Sequence, residues 1–115
     1  MTTISETLGE FAVNLRDDAI PPEIRARARA LILDAVGIAL ASNHFDFAKK
    51  TLRGLHALSA DGTAPVIGRT ERLSLRDAAM MNGLLIHGLD YDDTHVAGIV
   101  HPTASAFPAA LAAAT

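Results

Sequence analysis

A chain of 115 residues, half of them hydrophobic but only 4% aromatic and without tryptophan, suffices for one small domain whose core is alanine- and leucine-rich helices packed through small side chains. The formal charge of −3 is mild, and the eight arginines and two lysines are dispersed; even RARAR, Arg25 to Arg29, spreads its arginines over different faces of a helix, which argues against a nucleic-acid partner. The absence of cysteine excludes disulfides, thiolate zinc sites and cysteine-held iron–sulfur clusters within these residues, and fits a cytoplasmic protein.

The opening MTTISETLGEF has neither the basic nor the apolar region of a signal peptide. Thr3 or Ser5 can cap a first helix, in which Leu8, Phe11, Ala12 and Leu15 recur at helical spacing; Leu8 stands three residues after Ser5, so no capping box is expected. Pro21-Pro22 ends that element, and Pro22 suits the first turn of a second helix, PEIRARARALILDAVGIALASN. Its second half is apolar nearly all round, which implies burial on most sides. The strongly apolar run Ala30 to Ala41 has only twelve residues, too few to cross a bilayer. Asp34 inside it must find hydrogen-bond partners, at a neighbouring helix end or an arginine, or be protonated.

A third helix is expected over Phe45 to Ala60, with Phe47, Leu52, Leu55 and Leu58 apolar and Lys49, Lys50 and Arg53 solvated. DGTAPVIGRT holds a turn and a short extended piece over Pro65 to Gly68. Ser74 is a good N-cap for a fourth helix, LRDAAMMNGLLIHG, with Asp77 in the carboxylate position of a capping box. His101-Pro102 opens a fifth, alanine-rich helix, which Pro108 would kink or delay. The fold class is therefore all-α, a bundle of about five helices.

Between the last two helices lies HGLDYDDTHVAGIVHPTA, His87 to Ala104, with three carboxylates and three imidazoles in eighteen residues. Asp90, Asp92, Asp93, His87, His95 and His101 are ligands that Mg²⁺, Mn²⁺ or Zn²⁺ would accept, but the spacing fits no metal motif. A calcium loop counted from Asp90 would need Gly at 95 and Glu at 101, where both residues are His. HExxH and an adjacent His-Asp pair are absent, and DYDD resembles the diphosphate motif of terpene synthases, whose chains are long and aromatic-rich. No metal is expected. The bland alternative is that these residues cap helices. Against it, Asp90 and Thr94 would share a face if the fourth helix continued, as would His87, Tyr91 and Thr94 or His95. His101 sits where helix-terminal amides and the positive dipole end converge, a place for a carboxylate beside an imidazole able to act as a base.

RARALILDAVGIALAS, AAMMNGLLIHGLDYDDTH and HPTASAFPAALA, in that order, resemble the MmgE/PrpD family, which includes 2-methylcitrate dehydratase and cis-aconitate decarboxylase. The resemblance covers essentially the whole chain, but family members are several times longer, so it corresponds to their N-terminal part. It implies an all-helical domain built from both chain ends with a smaller α+β lid inserted. It also implies an enzyme without metal or organic cofactor that moves a proton at a carbon next to a carboxylate, with loss of water, loss of CO₂ or epimerisation as the outcome. Asp90, Thr94 and His101 match positions that line the family's active site, with Asp93 and His95 beside them. The amides around Pro102 and Thr103 would receive a substrate carboxylate. HVAGIV, between Thr94 and His101, is about one residue longer than in the decarboxylase, which favours a dehydratase-like member or one of another, uncharacterised specificity.

The expected partner is thus a small polycarboxylate, with neither nucleic acid nor membrane. The basic groups that hold such a substrate in the family lie beyond Thr115. The apolar second helix and the uncapped end at LAAAT point to cover supplied by a homo-oligomer or by the C-terminal part of the same fold. A different class of function also fits the isolated chain: an inactive helical module for packing or oligomerisation.

Overall fold

The computed structural model describes residues 2–59 and 61–115. Among the described residues there are five α-helices: α1 (Ile4–Asn14), α2 (Pro22–Ser42), α3 (Asp46–Leu58), α4 (Leu75–His87) and α5 (Pro102–Ala113). A 3₁₀ turn (Asp17–Ala19) precedes α2, and two short strands, β1 (Ala64–Pro65) and β2 (Arg72–Leu73), pair antiparallel between α3 and α4. The expected helical architecture holds, with this two-stranded ladder added. The extended piece expected at Pro65 to Gly68 is shifted, because Gly68 at φ +71° already belongs to the turn. Ala60, the last residue of the expected third helix, lies outside the described residues, and α3 ends at Leu58.

Two compact units divide the chain inside α2, residues 1–30 and 31–115. In the first, α1 is capped by Thr3, whose hydroxyl accepts from Glu6 N at 3.2 Å while Glu6 Oε2 accepts from Thr3 N at 2.7 Å. A capping box is therefore present, contrary to expectation: the box runs from Thr3 to Glu6 rather than from Ser5. Arg25 reaches Asp17 at 2.7 Å and ties the 3₁₀ turn to the start of α2. No described residue of this unit is buried; Phe11 and Leu8 stand exposed.

The core lies in the second unit. Ala35 and Ala39 of α2, Ala48, Leu52 and Leu55 of α3, Ala64, Val66, Leu73 and Ala78, Met81, Leu85 and Ile86 of α4 form one buried cluster. Burial of α2 is confined to one stripe, and Leu33 on its other side is 74% exposed, so the expectation of burial on most sides is not met by these residues alone. Asp34 is likewise exposed and makes no side-chain hydrogen bond among the described residues; the solvent that reaches it replaces the expected partner.

Two asparagines hold the segment after β1. Asn82, 1% exposed on α4, accepts from Ile67 N at 2.8 Å and donates to Pro65 O at 2.9 Å. Asn43, just past α2, donates to Ile67 O at 2.8 Å. The peptide groups of this irregular stretch are thus satisfied by side chains where a longer sheet would have supplied backbone.

Helix α4 begins as the sequence predicts. Ser74 accepts from Asp77 N, and the buried Asp77 carboxylate gathers Arg76 at 2.8 Å with the hydroxyls of Ser59 and Ser74. The Arg76 guanidinium, followed by the two hydroxyls, holds the Asp77 carboxyl well below the usual carboxylate range. Helix α5 crosses α4 at Gly83, where a Cβ would stand 3.0 Å from the Ala104 carbonyl oxygen. Pro108 does not delay the start of α5: the helix runs through it from Pro102. No helix among the described residues is long and apolar enough to cross a membrane.

Candidate active site

Helix α4 stops at His87, with Gly88 as its C-cap. The helical continuation that would have stacked His87 on Tyr91 and Thr94 does not occur. Asp90 takes a left-handed conformation, φ 53°, which an Asp tolerates better than most residues. That reversal turns Asp92 inward, its side chain 1% exposed, and leaves the Asp90 side chain 80% exposed.

His101 is the N-cap of α5, but its ring makes no capping bond. The capping role falls to Asp93, whose Oδ1 accepts from Thr103 N at 3.2 Å. Asp93 and Thr103 do meet, therefore, but on each other: the amide offered to a substrate carboxylate is already engaged. The His101 imidazole lies instead beside His87, with ring centroids 4.8 Å apart.

Around these two rings the carboxylates are ordered. Asp92 lies 3.1 and 3.3 Å from His87 Nδ1 through its two oxygens. His101 Nδ1 is 3.4 Å from Asp92 Oδ1, without the alignment of a formed hydrogen bond, and is a buried nitrogen with no other partner. His101 Nε2 is 3.6 Å from Asp90 Oδ1. When the ring carries both protons, each of its nitrogens faces a carboxylate.

Of the residues assigned a role from the sequence, His101 and Asp90 are brought together. Thr94 is exposed and makes no side-chain hydrogen bond among the described residues. His95 belongs to a separate turn: its amide donates to Val100 O at 2.9 Å, and its Nδ1 accepts from Gly98 N at 3.0 Å. Ile99 closes that turn at φ 51°, a strained conformation for a β-branched residue. The residues without an assigned role that the structure brings to the centre are His87 and Asp92. Their signal in the sequence is weak, an i, i+5 pair across a turn that no helical or strand period links.

His87, Asp90, Asp92 and His101 each present a ligand atom, all within 4.8 Å of one another, so they could be gathered around a divalent ion. In the arrangement observed, His87 Nδ1 is bonded to Asp92. Both imidazoles line an open cleft of about 570 Å³, whose other walls are mostly apolar: Met80, Leu84, Ile99, Val100 and Ala104. Among the described residues, neither Lys nor Arg lines it. A proton acceptor and donor beside an apolar cleft can carry out acid–base chemistry, but an anionic substrate would need cations from outside this lining.

Residues 6–115 match the family described as the MmgE/PrpD N-terminal domain. Similar proteins include a cis-aconitate decarboxylase-like protein, oryM, of Aspergillus oryzae, 28% identical over 96% of this chain and 23% of its own length. The cis-aconitate decarboxylases of Aspergillus terreus and Mus musculus are 29% and 26% identical, again over 96% of this chain and over 22% and 24% of their own lengths. This chain therefore spans about a quarter of the length of the curated relatives it matches. The helical fold and this match over nearly every residue agree: the chain belongs to the MmgE/PrpD family, in its N-terminal domain.

Proposed function

We propose that the chain is the N-terminal part of a cofactor-independent lyase-like enzyme that acts on a small di- or tricarboxylate, with His101 as the proton-transferring group. The observation that carries this reading is the His101 imidazole on the wall of the cleft, between Asp90 and the buried Asp92. In a dehydration, His101 Nε2 takes a proton from the carbon next to a carboxylate as a double bond forms. The same proton passes to the departing hydroxyl, which leaves as water. Asp90 stands beside the protonated Nε2 and stabilises it. Thr94 and His95 lie on the same connection but not among the residues that line the cleft, while Asp93 and Thr103 fix the start of α5.

Asp90 would repel an anionic substrate by a few kcal/mol at low effective dielectric, roughly what cations from the remainder of the site must offset. The apolar residues left exposed here, such as Leu33, are consistent with further cover from the rest of the fold or from a second copy. His101→Ala in the complete enzyme should lower turnover about 10²–10⁴-fold, the usual worth of general acid–base catalysis. Unchanged turnover would remove His101 from the mechanism.

The relatives' names favour a second reading of the reaction, decarboxylation of cis-aconitate. The longer apolar connection before His101 favours dehydration of a 2-methylcitrate-like acid. Following both acids by NMR distinguishes them: unsaturated product from methylcitrate supports the first, CO₂ release from cis-aconitate the second.

A further inference from the structure

We infer that Asp92 is a positioning residue that sets the tautomer of both cleft imidazoles, holding the proton of each on Nδ1 so that Nε2 is left free. This rests on the proposed role of His101 for its catalytic meaning, but on geometry alone for the tautomers.

Asp92 is nearly sealed from solvent, with its side chain 1% exposed, yet neither Lys nor Arg is among its polar contacts. Among the described residues its only hydrogen-bond partner is His87, with His101 Nδ1 next at 3.4 Å. A buried carboxylate without partners is costly, and an ionised one can only accept. His87 Nδ1, at 3.1 Å, must then carry the hydrogen. The same Oδ1 lies 3.4 Å from His101 Nδ1, which has no other partner in a buried position. That oxygen can accept from both rings, since a carboxylate oxygen offers two lone pairs. With both Nδ1 atoms so engaged, the Nε2 of each ring is the unprotonated nitrogen, and that of His101 is the one available to take a substrate proton. When it does, the positive ring faces Asp92 at one end and Asp90, 3.6 Å away, at the other.

The test is ¹⁵N NMR of the histidine side chains in the full chain near neutral pH, which reads the tautomers directly and needs no substrate. The expected result is Nδ1–H as the major neutral form at His87 and His101. Nε2–H as the major form at either ring overturns the inference; this is also what a protonated Asp92 donating to His87 would give. In Asp92→Asn, the ratio of Nδ1–H to Nε2–H should fall at least roughly tenfold at both rings, the worth of a hydrogen bond to a charged acceptor. An unchanged ratio in a helical, folded variant overturns it as well. Should the variant not fold, the unsubstituted chain alone decides. In the complete enzyme the same change should lower kcat in proportion to the fraction of His101 that leaves the Nδ1–H form, with KM little altered, because only that form presents a basic Nε2. If the tautomers are as stated and neither acid is turned over, the proposed function fails while the role of Asp92 in fixing the rings stands.

Discussion

Asn82→Ala is the sharpest test of how the second unit is held together. Asn82 is 1% exposed, and its amide satisfies two backbone groups of a segment that the short sheet does not cover, Ile67 N at 2.8 Å and Pro65 O at 2.9 Å. Each hydrogen bond contributes about 1 kcal/mol net, and each partner left unsatisfied in a buried place costs about 1–3 kcal/mol. Ile67 and Pro65 are half-buried, so water recovers part of the second cost. The sum is a loss of about 2–4 kcal/mol, a large share of the 5–15 kcal/mol typical of a domain. Urea unfolding followed by far-UV circular dichroism measures it. Asn82→Asp should be no better than the alanine, because it keeps the acceptor for Ile67 but sets a carboxylate oxygen against the Pro65 carbonyl. A loss below about 0.5 kcal/mol for Asn82→Ala would refute the reasoning, since it would mean these bonds add nothing beyond what water offers.

Asp77 makes acid stability predictable in sign. Its carboxyl is held below the usual range, so its contribution is complete above its unfolded value near about 4 and is lost as pH falls below that. Asp77→Asn should therefore lower the thermal midpoint at pH 7 and flatten its decline between pH 4 and 2; parallel declines in the two proteins would contradict this. Gly83→Ala trades better helix propensity, worth about 1 kcal/mol, against a Cβ 3.0 Å from the Ala104 oxygen. Overall stability should stay within about 1 kcal/mol while the imidazole signals of His87 and His101 shift, because the α4–α5 spacing must open by a few tenths of an ångström. Unmoved imidazole signals would show that the two helices do not share that spacing with the site.

What the sequence makes legible follows from where a single residue decides the local backbone. Pro22, Ser74 and Pro102 each fix a helix start, and α2, α4 and α5 begin within one residue of them. The cap of α1 was open to misreading because Thr3 and Ser5 both fit it, and only the reach of Glu6 selects Thr3. Burial along α2 is not legible either: its apolar run looks uniform, whereas only one stripe, Ala35, Ile38, Ala39 and Ser42, is buried. At the site, the crowd of ionisable groups and the position of His101 were visible. Which aspartate turns inward was not, because that depends on the left-handed backbone at Asp90, a choice that hydrophobic period does not encode. His87 and Asp92 became central for that reason alone.

The crossing at Gly83 and Ala104 has a consequence for how this connection can vary. The two rings that form the site sit on the ends of α4 and α5, and the spacing of those ends is set by the helices' close approach, not by the chain that joins them. Residues 95–100 fold back on themselves through the His95–Val100 bridge, so a residue gained or lost there is taken up inside a closed turn. Ile99 and Val100 nevertheless form part of the cleft wall. A residue gained or lost in this short turn can therefore reshape the cleft wall while the two imidazoles keep their separation.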